Sequence, residues 1–166
     1  MASLNALTGA VTANAAIVPA GSGGAIDVFA SDATDLVIDI NGYFSPPAAG
    51  GLSLFTMPPC RALETSKPAG TPTFSGKRDV AAGATCGVPA AAQAFVFSST
   101  VVPAGSLGYL TLWPQGQSQP TVATLNAIDG VVTSNLAIVP TSNGSISAFA
   151  TNSTHLVLDL AGYFAP

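Results

Sequence analysis

The sequence predicts an all-β fold, an antiparallel β-sandwich of immunoglobulin-like or jelly-roll-like type. Three observations predict it. Apolar residues alternate with polar ones in run after run, and no segment holds a helical period. Gly- and Pro-containing turn signals separate these runs at intervals of about 8–12 residues, the spacing of sandwiches and barrels. The two ends of the chain also repeat each other. Residues 3–46 and 124–166 align with a single one-residue gap near Gly24, and about half of the aligned positions are identical. Self-similarity of this kind marks repeat architecture.

The elements follow in chain order. In the first copy, Val11–Val18 is rich in β-branched residues and is stopped by Pro19, since proline cannot donate to a ladder. Leu36, Ile38 and Ile40 then alternate with Val37, Asp39 and Asn41. Thr8-Gly9 and Gly21–Gly24 read as turns. Residues 47–56 form a linker rich in Pro, Gly and Ala, within which Leu52, Leu54 and Phe55 could make a short strand. Farther on, Phe95, Phe97 and Val101 share one face of a run. Leu110 and Leu112 oppose Tyr109, Thr111 and Trp113 in the next. The second copy repeats the first: Val132–Val139 before Pro140, then Leu156, Leu158 and Leu160, with turns at Asp129-Gly130 and Ser142-Asn143-Gly144.

This organisation divides the chain into a repeat half-unit of about four strands (1–46), a linker (47–56) and a complete unit (57–166). The second copy is preceded by some 65 residues that have no counterpart before the first. The first copy therefore reads as the back half of a unit whose front half is missing. Met1 falls in mid-pattern, one residue before Ala2, the match of Ala123, as in a processed or partial chain.

Composition narrows the function. Only 7% of residues are charged, against roughly 25% in an average soluble domain. No run of 18 apolar residues occurs, so no membrane-inserted span is expected. Four basic residues against eight acidic ones give a net charge of −4. This balance speaks against nucleic acid, whose phosphates demand basic patches, and against anionic lipid surfaces. A surface so poor in charge suits either a neutral-coated secreted protein or a subunit that covers its outside with copies of itself. Cys60 and Cys86 are the only cysteines. With one histidine they cannot complete a zinc site, and a disulfide between them implies an oxidising, extracellular or cell-surface location.

The complete unit resembles a repeat domain found in tandem in secreted bacterial surface proteins. The residues that carry the resemblance are Pro59-Cys60-Arg61, Cys86-Gly87-Val88-Pro89, Gly108–Pro114, Thr124–Gly130, Asn135–Pro140 and Asp159–Phe164. The first copy carries Leu4-Asn5, Asn14–Pro19 and Asp39–Phe44. The resemblance implies a β-rich extracellular module and no activity. The incomplete first unit departs from it.

Candidate sites are few. Asp39 and Asp159 hold equivalent positions; without a cluster of further oxygen ligands they read as backbone-capping carboxylates rather than calcium ligands. Asn5, Asn14, Asn126 and Asn135 read as strand-end residues that satisfy neighbouring backbone. Gly42 and Gly162, each followed by Tyr-Phe, read as points of close backbone approach beside packing aromatics. Trp113 and Tyr109 are the candidate glycan-stacking pair, weighed against packing within the sheet or between subunits. Asn143 and Asn152, both assigned to turns, open N-x-S/T sequons and are candidate glycosylation sites. One histidine, one glutamate (Glu64) and no nucleophile motif give no catalytic constellation. No enzyme activity, cofactor or metal is expected.

The functional expectation is a structural, self-associating extracellular protein: a protomer of a surface filament, or a stalk of tandem units, joined head-to-tail by strand or half-domain complementation. Its partners would be copies of itself. The alternative is a carbohydrate-binding adhesion module that uses Trp113 and Tyr109. Packing of residues 1–46 within the chain, rather than on a neighbour, is the variant of the first reading.

Overall fold

A computed structural model describes residues 4–46 and 48–166. The body is all-β and antiparallel. Its strands are β1 (Ser53–Glu64), β2 (Phe74–Val80), β3 (Ala94–Pro103), β4 (Leu107–Pro114), β5 (Leu125–Ala127), β6 (Thr133–Pro140) and β7 (Ile146–Ala165). They form one seven-stranded sheet of order β5-β4-β7-β3-β6, with β1 and β2 also paired to β7. One short helix, α1 (Ala82–Cys86), follows β2.

β7 organises the rest. Its N-terminal part pairs with β2 and β4, and its C-terminal part pairs with β1 and β3. Along most of its 20 residues the buried positions keep one parity, with Ser147 and Ala165 the exceptions. Ile146, Ala148, Ala150, Thr154, Leu156, Leu158 and Leu160 are fully buried, interrupted only at exposed Asn152. All but Thr154 meet Phe95, Phe97 and Val101 of β3, Leu107 and Leu110 of β4, and Leu125 of β5 in one core. The sheet curls on itself: Asn135 of β6 donates its Nδ2 to Thr124 O, beside β5, at 2.8 Å.

The disulfide predicted from the sequence is present. Cys60 of β1 joins Cys86 at the end of α1, with Cα atoms 5.9 Å apart. The helix stops there because Gly87 takes a left-handed conformation (φ 65°).

Three sequence expectations change. The short strand offered within 47–56 is the start of a longer one: β1 begins at Ser53, pairs it with Ala165 and runs on to Glu64. β4 is covered on both faces: Thr111 is as buried as Leu110, and Trp113 is buried too. Residues 4–46, expected to hold about four strands, contain none among those described; the only regular element is a 3-10 turn, Ser22–Gly24. The turns of the first copy nevertheless form. Gly9 N bonds Ala6 O at 3.0 Å, as Gly130 N bonds Ala127 O at 3.0 Å in the second copy. Turns are closed by local bonds, whereas strands need a neighbour. β5–β7 have β1–β4 as neighbours; residues 4–46 do not.

Candidate functional site

Residues 4–46 display the pattern of a core strand to solvent. Leu7 is 98% exposed, Phe29 91% and Ile40 86%. Leu36 and Ile38 are also exposed, although their counterparts Leu156 and Leu158 are fully buried. Among the described residues, no backbone–backbone hydrogen bond joins residues 4–46 to the strands of the body. Side-chain contacts tether the segment to the body. Ala15 N donates to Asn135 Oδ1 at 3.0 Å. Phe44 lies against Phe164, its own counterpart, with ring centroids 6.1 Å apart.

The body offers open edges nearby. β1 and β2 pair only with β7, and β6 only with β3. Along β1, Pro58 and Pro59 lack N–H groups and blunt the middle of the edge. The stretch Ser53–Met57 stays open and carries half-exposed Leu54 and Phe55, the latter stacked on Tyr163 at 5.3 Å. Two ring contacts thus adjoin at the end of β7, Phe55 on Tyr163 and Phe44 against Phe164.

Four charged residues, Arg61, Glu64, Lys67 and Asp159, form one connected group. Arg61 of β1 faces Asp159 of β7, donating through Nε to Oδ1 and through Nη2 to Oδ2, the latter at 3.3 Å. Arg61 also pairs with Glu64. Ser66 Oγ and Lys67 Nζ complete the group on Glu64 Oε1, at 2.9 and 3.4 Å. The hydroxyl of Ser66, with Lys67 and Arg61 behind it, holds the Glu64 carboxyl below its usual range. The Asp159 bonds raise the guanidinium pKa further. Asp159 thus binds a side chain, not the turn backbone that its sequence context suggested. Among the described residues no group of three or more His, Cys, Asp or Glu could hold a metal.

The remaining candidates are scattered. Trp113 is 3% exposed and donates its Nε1 to Gln117 O at 3.0 Å. Tyr109 is half-buried against Phe149, with centroids 5.9 Å apart. Asn143 is exposed in the β6–β7 loop and accepts Ser145 N at 2.9 Å. Asn152 is exposed within β7, not in a turn, and accepts Gly108 N at 3.2 Å. Asn126 and Asn135 donate to Gly108 O and Thr124 O, the backbone role that the sequence suggests.

Sequence reading missed Asp79. It accepts Ser147 Oγ at 2.6 Å and lies 3.4 Å from Lys77 Nζ. Bonds from Ser147 and Gln115 hold its carboxyl below the usual range. The Leu54–Phe55 edge falls where the sequence offers a short strand within the linker.

Comparison with family models, with curated proteins and with solved structures finds no match to this chain. No helix among the described residues is long and apolar enough to cross a membrane.

Proposed function

We propose that this is a structural, self-associating extracellular protein: a protomer of a surface filament or a unit of a tandem-repeat stalk. The body is a β-sandwich-type unit, and residues 4–46 are a repeat half-unit that takes strand form on a partner surface. The observation that carries this reading is the solvent exposure of a strand-patterned segment whose copy is the centre of the core. Exposed apolar surface of this extent marks an interaction site. Unpaired backbone beside it is a template for β-augmentation.

Head-to-tail use of such a segment is heterologous, does not close on itself, and so yields fibres. The half-exposed Leu54–Phe55 edge is a surface on which an incoming strand could add. The disulfide supports an oxidising location, and the resemblance to tandem domains of secreted bacterial surface proteins points the same way. Burial of Trp113 favours its packing role over glycan stacking. Negative-stain microscopy of the purified chain tests the reading: fibres or linear oligomers support it, and dispersed single particles at micromolar concentration refute it.

A further inference from the structure

Residues 26–45 match residues 146–165 position for position at an offset of 120. The match extends to the residues with which the second copy grips β1 and β4. Leu36, Ile38 and Ile40 stand where Leu156, Leu158 and Leu160 are fully buried. Asp39 stands where Asp159 binds Arg61. Asn5 stands where Asn126 donates to Gly108 O at 2.6 Å. Gly42 stands where Gly162 passes β1 so closely that a Cβ would come within 2.8 Å of Phe55 O; a Cβ on Gly42 itself would meet nothing within 4 Å. Gly42 answers no steric demand where it lies, and answers one in the place of β7.

The chain path allows that place to be reached. Ser53 pairs with Ala165, whose counterpart is Ser45. A first copy in the β7 seat would put residue 45 beside residue 53, joined through 46–52. A connection this short suits antiparallel neighbours. It already contains a turn, with Gly50 at φ 82° and Gly51 N bonded to Ala48 O at 3.0 Å.

Two differences explain why the second copy holds the seat in this structure. Ser147 donates to Asp79, but its counterpart is Asp27, which would set a second carboxylate against the first. Ala148 is fully buried, and its counterpart Val28 is larger.

We infer that residues 4–45 are a second occupant for the seat of β5–β7 on β1–β4 of the same chain, and that seating them releases 124–166 as the segment offered to a neighbouring copy. The short tether favours seating within the chain, because the effective concentration is of millimolar order. The seating does not depend on self-association; only the fate of the released segment rests on the assembly reading.

The test uses the full-length chain. Leu156→Asp, Leu158→Asp and Leu160→Asp together disable the C-terminal occupant. This variant should keep one cooperative thermal transition and the emission of a buried Trp113, with a lowered Tm. Adding Leu36→Asp, Ile38→Asp and Ile40→Asp should abolish the transition. In the C-terminal triple variant, Asp27→Ser should raise the Tm. Asp39→Arg should lower it, and Arg61→Asp should then restore it. The variant should run as a monomer across a concentration series. No transition in the C-terminal triple variant even with Asp27→Ser overturns the inference. So does a transition that survives both triples, or folding only as a dimer. Microscopy of the unaltered chain scores fibre formation separately, so failure of one reading is distinguishable from failure of the other.

Discussion

Arg61 and Asp159 are register partners on β1 and β7, and the guanidinium grips the carboxylate through two nitrogens. The Arg61 side chain is 47% exposed and that of Asp159 33%, so water screens the pair. Asp159→Asn should lower stability by less than about 1 kcal/mol. Urea denaturation at low and high salt checks this, and the difference between variant and parent should shrink as salt rises.

The Cys60–Cys86 bridge should matter more. It closes a loop of sequence separation 26, which the chain-entropy account values at about 3–4 kcal/mol. Reduction, or the double substitution Cys60→Ser with Cys86→Ser, should shift the urea midpoint by a corresponding amount without abolishing strand content by circular dichroism.

Ser99 offers a test of opposite sign. Its hydroxyl is fully buried in β3 and has no hydrogen-bond partner among the described residues. An unpaired buried hydroxyl destabilises by about 1–3 kcal/mol. Ser99→Ala should therefore leave the Tm unchanged or raise it, and thermal unfolding decides.

Acid should loosen the body through two carboxylates. Glu64 and Asp79 both titrate below their usual range in the folded chain. Their contribution is present above the unfolded carboxylate range, near about pH 4. It is lost as pH falls through the lower folded values. Tm measured from pH 6 to pH 2 should drop in that interval, and Asp79→Asn should flatten part of the drop.

Much of the body was legible because its cues are local or periodic. The alternation of Leu156, Leu158 and Leu160, the stops at Pro140, and the turn at Asp129-Gly130 are properties of short stretches, and they appear as predicted. What was not legible depends on neighbours. Trp113 has a buried environment because β5 and β7 flank β4 and Gln117 accepts its N–H. Asp159 needs Arg61 from 98 residues away. Residues 4–46 share about half of their aligned positions with 124–166, yet among the described residues they form turns without strands, because no neighbouring strand pairs with them. Pattern predicts what a segment can become; its neighbours decide what it is.

The central claim is that the exposed first copy, residues 4–46, drives self-association. Sedimentation velocity of the full chain over a micromolar concentration series tests it most directly. The account predicts sedimentation coefficients that climb with concentration, and a return to monomer when Leu36, Ile38 and Ile40 are each replaced by Asp. A chain that sediments as a monomer throughout, or a variant that associates as strongly as the parent, would contradict it.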